Sequence, residues 1–181
     1  FFFHKTEEFY RFYRDKMLYL EAKPNKAHQK LAEWEKSGKL KAVITQNIDG
    51  LHQEAGNKKV LELHGSVLRN YCESCRKFYG VEAIKESEGI PRCECGGIIK
   101  PDVVLYEEGL DNYTISESVR RISEADVLII GGTSLAVYPA AGLIDYYRGN
   151  KLVLINKTPT PKDHMANLVI QGSIGEVFEQ L

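Results

Sequence analysis

The sequence lacks an excess of charge of either sign. Its 24 Lys and Arg are balanced by 25 Asp and Glu, for a formal net charge of −1. Nucleic acid is held through a concentrated basic field, so no nucleic-acid partner is expected. Long apolar runs are missing too. Purely aliphatic stretches reach four residues, as at 127–130, against the roughly 20 that a membrane-spanning helix needs, so no membrane partner is expected either. The chain opens on Phe1-Phe2-Phe3, with neither the basic start nor the small-residue cleavage site of a secretory signal. That reads as a cytoplasmic protein. The chain has no starting Met, and the natural protein is expected to begin further upstream. Hydrophobic residues make up 43% and charged residues 27% of the 181, enough for a folded globule of one domain, or of one domain with a small insertion.

Cysteine is scarce and clustered. The four form Cys72-x-x-Cys75 and Cys93-x-Cys95, with 17 residues between the pairs. A disulfide scaffold scatters its cysteines over a shorter secreted chain; two close pairs point to a metal. The surrounding segment, 69–100, is rich in Gly, contains Pro91 and shows little helical or strand periodicity. It reads as an inserted lobe too small to hold itself together by burial. A tetrahedral Zn2+ on four thiolates would supply the missing stability and, with no open position, would be structural. Four free thiols, or a redox Cys-x-x-Cys, are the alternatives; the redox pair normally opens a helix after a strand, and this one does not.

The rest of the chain alternates helices and strands. Phe9, Tyr13, Met17 and Leu20 recur at helical spacing over residues 6–20, behind the N-terminal signal Thr6-Glu7-Glu8. Pro24-Asn25 opens a second helix, with Ala27, Leu31 and Trp34 on one face, Gly38 as its stop and His28 as a packed or capping residue. Residues 40–45, 60–63, 127–130, 151–156 and 168–171 read as strands; 115–123, 139–147 and 176–181 read as helices. Several strands lack an alternating polar face. This order predicts an α/β fold with a parallel sheet covered by helices on both faces.

In such sheets ligands bind beyond the carboxyl ends of the strands. Four polar stretches fall there: TQNIDG from Thr45, HGS from His64, GGTSL from Gly131 and NKTPT from Asn156. The glycine stretch matches neither Gly-x-Gly-x-x-Gly nor a Walker loop, so alone it is a weak nucleotide signal. A lone His is more often structural; His64 shares its sheet edge with Asn47 and Asp49, which favours a base working near neutral pH.

Taken together, PNKAH, ITQNIDGLHQEAG, ELHGS, the cysteine pairs, CGGIIKPDVVLYEE, GTSLAVYPAAGL and LIN resemble the sirtuins, NAD-dependent protein lysine deacylases, over nearly the whole chain. The resemblance implies a Rossmann-like NAD-binding lobe at 23–68 and 102–181. The small lobe would be a helical segment at 1–22 and a zinc-ribbon module at 69–101 held by Cys72, Cys75, Cys93 and Cys95. It implies that Gln46, Asn47 and Asp49 contact NAD, with the latter two nearest the nicotinamide, and that His64 is the general base. Gly132, Thr133 and Ser134 would hold the adenosine side, Asn156, Lys157 and Thr158 its ribose, and Ile174 would lie near the adenine. Val103, Val104, Leu105, Tyr106 and Glu107 would pair with an acyl-lysine peptide as an added strand. The implied reaction releases nicotinamide and passes the acyl group from lysine to ADP-ribose; family likeness suggests a monomer.

The resemblance has three departures. Nothing matches the family's opening Gly-Ala-Gly segment, so these 181 residues alone are expected to turn over little or no substrate. The second cysteine pair has one intervening residue where two are common. Tyr106-Glu107-Glu108 stands where the family has Phe-Gly-Glu. A protein ADP-ribosyltransferase and an inactive zinc-ribbon or NAD-binding scaffold are the competing readings.

Overall fold

The computed structural model describes residues 2–181. In chain order the elements are α1 (Thr6–Lys16), α2 (Lys26–Lys36), β1 (Val43–Thr45), α3 (Leu51–Glu54), β2 (Val60–Glu62), β3 (Gly65–Cys72), β4 (Phe78–Tyr79), α4 (Glu82–Lys85), β5 (Ile99–Val103), α5 (Asn112–Ser123), β6 (Leu128–Gly131), β7 (Leu152–Asn156), β8 (Leu168–Gln171) and α6 (Ile174–Glu179). They divide into two compact units. One comprises residues 2–22, 47–50 and 64–109; the other comprises 23–46, 51–63 and 110–181. No helix among the described residues is long and apolar enough to cross a membrane.

The larger unit carries the parallel sheet, in two pieces: β1 beside β2, and β6-β7-β8 in that order, all parallel. α2 begins where the sequence says. Asn25 Oδ1 accepts from the Ala27 and His28 amides, and His28 Nδ1 accepts from the Asn25 amide, a reciprocal cap that satisfies three otherwise orphaned donors. Ala27, Leu31 and Trp34 pack with Ile155 and Phe178. Leu63, Ile122, Ala140 and Leu143 form a second core cluster against which Ile44 and Leu128 lie. The helix expected at 139–147 is instead a 3-10 coil over Ala140–Tyr146. Its Gly142 amide bonds back three residues to Pro139 O at 3.0 Å, the tighter pitch that short runs adopt.

The smaller unit is built on an antiparallel sheet ordered β4-β3-β5. This corrects the expectation of little regular structure around the cysteines. β3 runs for eight residues into Cys72, and β5 ends at Val103. A register shift between Ser66 and Asn70 breaks the period-two pattern by which a strand is recognised. That ladder also carries residues 64–68 and 102–109, assigned to the NAD lobe on sequence, into the smaller unit. α1 ends at Lys16 rather than at residue 20, but Met17 and Leu18 still pack on the core, so the apolar spacing outlasts the helix. Thr6 does not cap it; Lys5 is the N-cap, and Thr6 Oγ1 donates to Phe2 O. Phe9, Tyr10 and Tyr13 face Val67, Ile84, Ile99 and Val103, and the buried Tyr10 hydroxyl donates to Ile99 O at 2.6 Å, which satisfies it.

Candidate active site and metal centre

Asn47, Asp49 and His64 all belong to the smaller unit. The loop that holds the first two is tied to the strand that follows the third, because the Val67 amide donates to Ile48 O at 3.0 Å. Ile48 packs into the core, leaving Asn47 exposed and Asp49 half-buried on either side of it. His64 is half-buried, and its carbonyl accepts the Val104 amide at 3.0 Å. The next residue, Gly65, has φ +76, and a β-carbon there would lie 1.9 Å from Asp102 O. Only glycine lets the chain pass that close and so fixes where His64 emerges.

The segment expected to pair with peptide starts in β5, at the sheet edge, but only Val103 lies in the strand. Val104 bonds to His64, and Leu105 turns back: its amide donates to Glu108 Oε2 at 2.9 Å, and the Glu108 amide to Leu105 O at 3.0 Å. Tyr106 is fully exposed, and Glu107 holds φ +74. The left-handed conformation explains why glycine suits that position and what its replacement costs.

In the larger unit, a cleft of about 520 Å³ opens at the ends of β6, β7 and β8, within the range of ligand pockets. Gly132, Asn156, Lys157 and Ile174 line it, four of the residues predicted to hold the adenosine side. Thr133, Ser134 and Thr158 are not among its lining residues. Thr133 Oγ1 accepts from Gln46 Nε2 at 3.4 Å, Ser134 is exposed, and Thr158 O accepts from Asn156 Nδ2 at 2.9 Å. A β-carbon on Gly132 would meet nothing, whereas one on Gly131 would strike Ile174 at 2.2 Å. The amides of Asn25 and Asn156, the ammonium groups of Lys26 and Lys157 and the carboxylates of Glu176 and Glu179 surround the cleft, so it can hydrogen-bond a polar ligand. Asn25, Gly172 and Ser173 also line the cleft. They were missed on sequence; Gly172-Ser173, directly after a strand, was the available signal.

The four cysteine sulfurs all lie within 4.8 Å of one another. The close pairs cross between the two knuckles, Cys72–Cys95 at 3.4 Å and Cys75–Cys93 at 3.6 Å. Sulfurs at 2.3 Å around a tetrahedral zinc stand about 3.8 Å apart, so the donor set fits Zn2+, and the one-residue spacer does not prevent it. Gly97 makes room: a β-carbon there would lie 2.6 Å from Cys72 Sγ. The Tyr79 hydroxyl, foremost, and the Cys95 amide bring the Cys93 thiol down to about 6, and the Cys75 amide lowers Cys72, whereas at Cys95 the Gly97 amide's lowering is outweighed by the three neighbouring sulfurs, which push that thiol up. Thiolates are the form that binds metal.

The Sir2 family model matches residues 1–139. An NAD-dependent protein deacetylase of Clostridium acetobutylicum is 62% identical over 181 residues, spanning 99% of this chain and 74% of that protein. A solved structure of Sir2 with p53 peptide and NAD+ superposes with a TM-score of 0.94 at 45% identity, covering 99% of this chain and 78% of the other. Sir2 in complex with the inhibitor EX-527, 2'-O-acetyl-ADP-ribose and deacetylated p53 peptide superposes at 0.93 with 43% identity, covering 99% and 80%. With the family model matching residues 1–139 and a relative 62% identical over 99% of the chain, this chain belongs to the Sir2 family.

Proposed function

We propose that the chain is an NAD-dependent protein lysine deacylase that passes the acyl group of an acyl-lysine peptide to ADP-ribose and releases nicotinamide. The observation that carries the reading is the bond from Val67 to Ile48, which holds Asn47 and Asp49 to the strand beginning one residue after His64. Asn47 supplies an amide for the nicotinamide carboxamide. Breaking the nicotinamide–ribose bond builds positive charge on the sugar, and the Asp49 carboxylate offsets it. His64 accepts the proton of the ribose hydroxyl that then attacks. The cleft around Gly132, Asn156, Lys157 and Ile174 takes the adenosine end, with Gln46, Thr133, Ser134 and Thr158 completing the cofactor set. The peptide meets the edge of β5 at Val103 and the turn that follows it, Val104, Leu105, Tyr106 and Glu107. Cys72, Cys75, Cys93 and Cys95 hold a structural Zn2+, which cross-links the two knuckles and takes no part in the chemistry. The protein acts as a monomer in the cytoplasm, where thiols stay reduced.

The test is product analysis by mass spectrometry, with NAD and an acetyl-lysine peptide. The polypeptide should carry the family's Gly-Ala-Gly segment ahead of residue 1, with the present chain run beside it. Nicotinamide, deacetylated peptide and O-acetyl-ADP-ribose are expected in equal amounts. ADP-ribose attached to protein, with the acetyl group retained, would establish the transferase instead.

A further inference from the structure

Beyond the four thiolates, the structure assigns a role to Tyr79: we propose that it is a positioning residue of the metal centre, its hydroxyl donating a hydrogen bond to Cys93 Sγ. The inference rests on the zinc reading. Tyr79 Oη stands 3.0 Å from that sulfur. Its backbone belongs to the first knuckle, because Tyr79 pairs with Asn70 across the β3–β4 ladder and the Cys72 amide donates to Lys77 O at 2.9 Å. Its hydroxyl reaches the second knuckle. One side chain therefore ties both halves of the ligand set together.

A neighbouring contact crosses the same gap. Lys77 Nζ pairs with Glu94 Oε2 at 2.8 Å and stands 5.5 Å from the Tyr79 ring centre. Glu94 is the single residue between Cys93 and Cys95, so β4 and its approach hold the shortened knuckle from two sides. In the longer knuckle a backbone donor serves, the Cys75 amide lying 3.5 Å from Cys72 Sγ. The shorter one receives a side-chain donor, the Tyr79 hydroxyl, in addition to the Cys95 amide.

The plainer account is that Tyr79 only packs, and its ring does lie against the core. A phenylalanine would pack as well. The hydroxyl is what needs another explanation, and its partner is a sulfur. Four thiolates around Zn2+ leave two negative charges in excess. A donor to one sulfur spreads that charge and fixes the direction of its lone pair, as outer-shell partners of metal ligands do. Charge-assisted bonds of this kind are stronger than neutral ones.

The experiment compares wild type, Tyr79→Phe and Lys77→Met, each loaded with Zn2+ alone or Co2+ alone. Zinc affinity is read at fixed pH by competition with a chromophoric chelator. Wild type is expected to bind one equivalent; failure to do so would remove the zinc centre itself, whatever the variants do. Tyr79→Phe is expected to weaken zinc about tenfold. It is also expected to move the sulfur-to-cobalt charge-transfer band to longer wavelength, because the hydrogen bond lowers the energy of the sulfur electrons. A packing residue would not move that band. Lys77→Met removes the exposed ion pair to Glu94 and the cation beside the Tyr79 ring but leaves the Tyr79 hydroxyl on the sulfur, and is expected to leave the band in place. A Tyr79→Phe band that coincides with wild type, zinc affinity unchanged within twofold, or an equal band shift in Lys77→Met would each overturn the assignment.

Discussion

Gly65 and Asp102 approach so closely that a β-carbon on the first would lie 1.9 Å from the carbonyl oxygen of the second. The contact joins the start of β3 to β5, where Ser66 pairs with Asp102 and Gly65 with Val103. It also sets the direction in which the preceding residue, His64, leaves the strand. Replacing Gly65 with Ala adds a steric clash to a left-handed backbone. A loss of about 2–4 kcal/mol is expected, measured by urea denaturation. Unchanged stability would show that β5 yields.

His64→Ala tests chemistry rather than packing. The side chain is half-buried, and it is the backbone carbonyl that bonds to Val104. The deacylation rate should fall by about 10²–10⁴-fold, the usual worth of a positioned base. The rate should be followed in a polypeptide bearing the family's opening segment. A scaffold protein would not register the change.

Glu35 sets an acid limit on the larger unit. Its carboxylate accepts from Asn57 Nδ2 at 2.7 Å and from the Lys58 and Lys59 amides at 2.9 Å each. Burial pushes its pKa up, but these bonds and the Lys59 charge outweigh it and hold the group below its ordinary value. A depressed folded pKa gives stability that is present above the unfolded carboxylate range and lost as pH falls through the folded value. Glu35→Gln is therefore expected to be less stable than wild type at pH 7, with the gap closing as the solution is acidified below the carboxylate range. Denaturation midpoints at several pH values decide it; a gap of constant size would count against the carboxylate.

Glu107 carries φ +74 and is exposed. A side chain in that conformation costs about 1–2 kcal/mol, while glycine loses about 0.5–1 kcal/mol in added freedom of the unfolded chain. Glu107→Gly is expected to raise stability by about 0.5–1 kcal/mol, seen as a higher denaturation midpoint. A lower midpoint would mean that the Glu107 side chain makes a compensating interaction.

What could be read in the sequence was whatever local chemistry encodes. Asn25 and His28 cap α2 because donors and acceptors three residues apart meet at any helix start. The cysteine pairs announced a metal because thiolates at such spacing have few other uses. The strand before Gln46 was legible from its β-branched run, and the polar residues after it read as a candidate site because parallel sheets bind ligands at that end. Tertiary structure alone decided how these parts are held. The shift between Ser66 and Asn70 hides β3 from any period-two reading, and the ladder with β5 exists only once residues distant in sequence pair. The cleft joins residues from the ends of three strands with Asn25, ahead of α2. Tyr79 reaches Cys93 across a gap that spacing does not describe. Short-range rules fix each element from its neighbours along the chain, whereas close packing brings together side chains that share no local pattern.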